Sequence, residues 1–174
     1  MSAPFGDLGP CAVYLDDVDL GENHNVHVKP SEDVAGHFTA KGGTKAENET
    51  FTGSGVEVTI EFTESTVAQM AACYPNASVD GNELMIANAV GLDARSIAGT
   101  LVIKPIVSGV ATVDATKWIT IFVCAPIPNQ DIVFDAATDR GYAVTFRAYK
   151  VITVPSGETY EVGDLWAVGY GETA

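Results

Sequence analysis

The sequence predicts a mainly β protein, a β-sandwich with one short embedded α-helix at about 64–74. Three observations predict it. First, the hydrophobic period changes once: Val56, Val58, Ile60 and Phe62 alternate with Glu57, Thr59, Glu61 and Thr63, the two-residue period of a strand with one buried and one wet face. From Thr63 onward the apolar residues Val67, Met70, Ala71 and Tyr74 recur at helical spacing, with Thr63 or Ser65 placed to cap the first turn and Pro75 to end it. Second, hardly any other segment carries helical periodicity, so this helix plugs one sheet and is not part of a repeated βαβ unit. Third, short apolar runs recur regularly between Gly, Pro and Asp punctuation, the pattern of an all-β chain.

In chain order the strand candidates are Cys11 to Leu15, Val26 to Lys29, His37 to Lys41, Val56 to Thr63, Glu83 to Ala87, Leu101 to Val107, Lys117 to Cys124, Gln130 to Phe134, Tyr142 to Val151 and Leu165 to Val168. Asp80-Gly81, lying between Ser78-Val79 and Glu83 to Ile86, reads as a tight hairpin turn. The stretch Lys41 to Gly55 is polar and bracketed by Gly42, Gly43, Gly53 and Gly55, so it reads as a long loop at about 41–55; loops of that length are usually functional or ordered by a partner. The 174 residues suit a single domain, 1–174, large enough to bury a core without staples.

Composition narrows the function classes. The formal charge is −14 from 23 acidic and 9 basic residues, yet 47% of residues are hydrophobic, so the chain is globular and acidic rather than disordered. The basic residues form no cluster, which argues against a surface that grips nucleic acid by neutralising phosphates. Cys11, Cys73 and Cys124 are odd in number and far apart, favouring buried free thiols over a zinc site or a redox pair. The amino terminus lacks a basic segment followed by an apolar one, so no secretory signal is expected, and no run approaches the ~20 apolar residues of a membrane span. The Asn-x-Ser/Thr matches at Asn48 and Asn76 then carry no weight.

Catalytic candidates are few. Asp16, Asp17 and Asp19 before Gly21 resemble a calcium loop, but the glycine is displaced and the closing bidentate Glu is missing, leaving a solvated acidic turn. His24 and His27, three apart near a strand start, face opposite ways, and His37 stands alone, so no metal site is expected. No nucleophile elbow, phosphate loop or dinucleotide fingerprint is present. Glu57 and Glu61 share a strand face, but ~13 Å of strand rise separates them, beyond the reach of paired-carboxylate chemistry. Trp118, Phe122 and Phe146 read as core. The expectation is a non-enzymatic protein with no cofactor.

Asp19-Leu20-Gly21, the strand around Val26 to Lys29, the polar loop ending at Thr52-Gly53, Glu64-Ser65-Thr66-Val67-Ala68 leading the helix and Tyr74-Pro75-Asn76-Ala77 after it occur in that order. Leu101-Val102-Ile103-Lys104-Pro105, Ala125-Pro126-Ile127 and Val144-Thr145-Phe146-Arg147-Ala148-Tyr149 follow in the second half. Taken together, the chain resembles the major tail tube proteins of long-tailed, siphovirus-like bacteriophages; the individual motifs are short, and the likeness lies in their order and spacing over most of the chain.

The resemblance implies a β-sandwich or barrel-like tail tube domain with a flanking helix, in a structural virion protein made in the host cytoplasm and assembled as hexameric rings that stack into a tail tube, a conduit for genomic DNA ejection. The implied partners are further copies of the chain, other tail proteins at the tube ends, and tape measure protein followed by DNA in the lumen. The segment after Gly163 is too short for the additional immunoglobulin-like domain of some relatives. Within this frame Glu57 and Glu61 are candidates to face the lumen, where carboxylates would repel passing DNA. Lys41, Lys45, Glu47, Glu49 and Phe51 are candidates for an inter-ring contact, an aromatic anchor within a polar rim. Two other readings stay open: another virion component, such as a tail terminator, a tail completion protein or a capsid decoration protein, and a jelly-roll enzyme or carbohydrate-binding module.

Overall fold

The computed structural model describes residues 9–37, 48–127 and 142–170. They form a mainly antiparallel β structure built from strands β1 (Cys11–Leu15), β2 (Val18–Asp19), β3 (Glu22–His37), β4 (Asn48–Glu64), β5 (Ala77–Asp80), β6 (Glu83–Ile86), β7 (Gly99–Val107), β8 (Val110–Ala111), β9 (Ile119–Ile127), β10 (Tyr142–Ala148) and β11 (Trp166–Val168), with helix α1 (Val67–Ala72). The main sheet runs β2-β1-β7-β9-β10-β4-β3, while β11 shares an edge of β9 and β8 pairs with β7. Its two ends come together: Asn23 of β3 donates from Nδ2 to the carbonyl of Cys11 on β1 at 2.8 Å. The sheet therefore curls around one core, the barrel-like form of the expected fold.

Alternation along the strands explains that core. Cross-strand rows on the inner face bring together Val26, Ile60 and Val144, then Val28, Val58 and Phe146, and Phe62 stacks on Tyr142 at 5.1 Å between ring centroids. Val13, Leu101 and Ile121 complete it from β1, β7 and β9, all fully buried. Each such side chain stabilises by roughly 1.5–3 kcal/mol relative to exposure.

The helix is shorter than expected and starts later. Thr66, not Thr63 or Ser65, is the N-cap: its hydroxyl accepts from the Gln69 amide while the Gln69 side chain accepts from the Thr66 amide, a reciprocal capping box. Ser65 instead donates to the Leu20 carbonyl at 3.1 Å and ties the helix entry to the sheet. Cys73 closes the helix with its side chain in the core. Burial holds the thiols of Cys73 and Cys124 up at about 12, consistent with inert core residues.

Two strand ends in the second half differ from the periodicity. The strand expected at Lys117 begins at Ile119, because Ala115–Lys117 form a 3-10 turn whose cap, Asp114, accepts from the Thr116 amide. The Thr116 hydroxyl, which donates to the same carboxylate at 2.6 Å, and in lesser part that amide hold the Asp114 carboxyl below its ordinary range. The strand expected to reach Val151 stops at Ala148. Asp80-Gly81 does form a tight hairpin, with Asp80 opposite Glu83 and Gly81 at φ 60°. Gln130 to Phe134 and residues 38–41 of the expected His37 strand lie outside the described residues.

Candidate functional site

The expected loop at about 41–55 is in large part strand, a correction to the glycine-based expectation. Asn48 to Gly55 belong to β4 and pair with β3 in register: Gly55 faces Ser31, Gly53 faces Asp33 and Asn48 faces His37. Glycine punctuation misleads here because pairing to a long partner strand satisfies the backbone whatever the side chains. The two strands form a ribbon that outruns the core. The last buried inward residue of β4 is Val56; beyond it the inward positions are Ser54 and Glu32, joined by a hydrogen bond at 2.5 Å. After a register shift next to Asp33, Val34 pairs with Phe51, and both are exposed, Phe51 by 73%. Glu49 is also exposed on this arm, whereas Lys41, Lys45 and Glu47 lie outside the described residues.

Glu57 and Glu61 do lie on the outer face of β4, opposite the core, but in different settings. The Arg147 guanidinium donates to Glu57 Oε1 from Nη2 at 2.9 Å and from Nε at 3.2 Å, and Lys29 stands opposite Glu57 on the other side. Glu61 stands between Asn25 and Ala143, with no cation as a cross-strand neighbour. Between the two, Thr59 and Thr145 meet at 3.3 Å between hydroxyl oxygens. The face expected to present two carboxylates to the lumen is thus a net-positive row, one carboxylate between two cations, followed by an acid with no cationic cross-strand neighbour. Arg147 and Lys29 were missed as members of it because only strand pairing brings residues 29, 57 and 147 side by side.

The remaining candidates are structural. Asp16 and Asp17 make the β1–β2 turn with φ of 48° and 65°, and Asp19 accepts from the Gly21 amide at 2.9 Å. His37 bonds Thr50 across the ribbon at 2.9 Å. Among the described residues no group of three or more His, Cys, Asp or Glu could hold a metal. Among the described residues no helix is long and apolar enough to cross a membrane. Phe122 is buried as expected, 5% exposed, but on the face of β9 opposite Ile121, in a second aromatic cluster, stacked on Tyr160 at 4.3 Å and edge-on to Tyr170 at 5.2 Å. The carboxy-terminal segment thereby covers the outside of β9.

A curled antiparallel sheet with a flanking helix and a projecting ribbon is a fold met elsewhere. The chain is similar to a chain of the PVC sheath-tube complex of an extracellular contractile injection system in its extended state, with a TM-score of 0.50 and 12% identity over 80% of this chain and 84% of that one. It is also similar, with a TM-score of 0.46 and 13% identity over 82% and 91% of the two chains, to a chain of the PVC sheath/tube terminator. A chain of the anti-feeding prophage cap, the AFP tube terminating cap, gives 0.44 and 10% over 79% and 82%. At 12% identity the first likeness concerns the fold alone, and the two weaker ones add nothing to it. No protein-family model and no curated protein matches the sequence.

Proposed function

We propose that this chain is a non-enzymatic structural subunit of a phage-tail-like tube, assembled with copies of itself into six-fold rings that stack around a DNA conduit. The observation that carries the reading is the β3–β4 ribbon. Its distal half, Val34 to His37 against Asn48 to Phe51, is exposed at every position among the described residues, with an apolar pair at Val34 and Phe51. A two-stranded ribbon is marginal alone in water and an open edge such as that of β3 invites pairing, so neighbouring subunits supply the missing burial. Ring closure would remove the free edges. The order of motifs along the sequence and the fold likeness to a chain of a sheath-tube complex support the same class. In this reading Glu49 and Phe51, with the residues between the two strands, contact the neighbouring ring, and the outer face of β4 turns toward the lumen. Glu61 is then the carboxylate that keeps DNA mobile, repeated around each ring within about a Debye length (~8 Å at physiological salt) of the duplex.

Negative-stain imaging of the concentrated protein tests this, with rings or stacked tubes as the expected result. Phe51→Asp should leave the monomer's circular dichroism unchanged and abolish stacking. Tubes of normal length from that variant would remove the ribbon from the interface, and a protein that stays monomeric at every concentration and salt would overturn the assignment.

A further inference from the structure

The β5–β6 hairpin pairs with no other strand among the described residues and packs against α1. Val79 opposite Leu84 and Ala77 opposite Ile86 make one of its faces apolar throughout. Val79 and Ile86, diagonal neighbours about 7–8 Å apart on that face, stay half-exposed although α1 packs against the hairpin. The chain then passes through Val90, 89% exposed. Hydrogen bonds hold Val90 in that position: its amide donates to Asn88 Oδ1 at 3.0 Å, and Asn76 donates from Nδ2 to the Asn88 carbonyl at 2.8 Å. Asn76 immediately precedes Ala77, so this loop is anchored beside the Ala77–Ile86 row. An ordered apolar surface left open to water marks a place of contact.

We propose that this hairpin face, with Val90, receives the distal β3–β4 ribbon of a second copy of the chain. The inference rests on the ring-stacking reading above and names the surface that the ribbon meets. Strand β4 sets the two surfaces at opposite ends of one element: Phe51 lies near its start, and its last residue, Glu64, leads directly into the α1 turn on which the hairpin packs. From Phe51 to Glu64 the strand advances about 40 Å at ~3.3 Å per residue. A paired strand does not fold back on itself, so the surfaces stay apart within one copy and cover each other when copies stack head to tail. Two different patches in contact make a heterologous interface, which repeats along an axis without closing. The exposed register pair Val107–Val110 at the β7–β8 turn gives no such match. Four antiparallel pairings separate β7 from β3, so both strands run the same way and their turns leave the sheet at the same end. Charge agrees with the choice. Asp80 and Glu83 are register partners on the hairpin, like charges directly opposite, a pairing that a nearby cation relieves. Residues 38–47, which join the two ribbon strands, carry Lys41 and Lys45 against Glu47 and so bring positive charge to the ribbon's end.

The test mixes two variants, Glu49→Cys, which spares Phe51, and Val90→Cys, each also carrying Cys11→Ser so that the natural thiols left are the buried Cys73 and Cys124. A short bis-maleimide should join the two variants to each other, as read by mass spectrometry of the linked peptides, and should join neither variant to itself. Separately, Ile86→Lys should weaken self-association at least about tenfold, followed by light scattering, with unchanged circular dichroism. Stacked rings in which Glu49→Cys links to itself, or to Val110→Cys in place of Val90→Cys, would overturn this inference and leave the ring-stacking reading standing. Stacking of Ile86→Lys at wild-type strength would do the same. Wild-type protein that stays monomeric in negative stain and gives no link in the mixture would overturn both.

Discussion

Reversing charge at Glu57 and at Glu61 should have unequal consequences, although the two glutamates sit four residues apart on the same wet strand face. Glu57 lies between Lys29 and Arg147 and shares with Arg147 a bond at 2.9 Å, with the two side chains 43% and 54% exposed. At that exposure solvent screens the pair, which is worth about 0.2–1 kcal/mol. Glu57→Lys removes it and places a third cation between two others, each like-charge neighbour costing a similar amount, so the total is about 1–3 kcal/mol. For a chain of this size that lowers Tm by roughly 3–9 °C at low salt, and less at high salt, where the repulsion is screened. Glu61→Lys meets Asn25 and Ala143 and should change Tm by less than about 2 °C. Calorimetry of both variants in dilute and in concentrated salt decides the matter. Equal shifts for the two, or a Glu57→Lys shift that ignores salt, would refute the placement of the row. Glu61→Lys is accordingly the clean probe of a lumen role: in assembled tails it should slow DNA release most at low ionic strength, and release at the wild-type rate at every salt would take Glu61 out of the channel.

Two further outcomes follow from the core. Cys73 and Cys124 have thiols raised by burial from 9.0 to about 12, so the folded state keeps protons that the unfolded state loses above pH 9. Stability is therefore intact below pH 9 and falls toward pH 12 by roughly 1–2 kcal/mol per pH unit per thiol; urea titrations from pH 7 to 11 should show that slope, shallower in the Cys73→Ala, Cys124→Ala double variant, and an identical slope would contradict it. Phe146, fully buried opposite Val58, should cost about 3–5 kcal/mol as Phe146→Ala, read as a lower urea midpoint, and a loss under about 1 kcal/mol would mean the inner face is packed otherwise.

What the sequence determined by itself is what depends on local period and local chemistry. Val56 to Phe62 declared a half-buried strand because side chains alternate faces whatever the partner, and Asp80-Gly81 declared a hairpin because a tight turn needs a residue at positive φ. The switch to helical spacing after Thr63 located α1 to within a few residues; which hydroxyl capped it depended on Ser65 being drawn away to the Leu20 carbonyl, a contact 45 residues distant. β2 and β8, two residues each, are too short to carry a period and exist only because β1 and β7 offer them an edge. Gly53 and Gly55 looked like loop punctuation and became strand because β3 pairs with them, and Phe122 is buried as its type suggested but by the carboxy-terminal tyrosines that fold over it, not by the main core. The same reason separates Glu57 from Glu61. Side-chain partners across a sheet are set by register between strands far apart in the chain, and register is a property of the closed sheet, which no single segment contains.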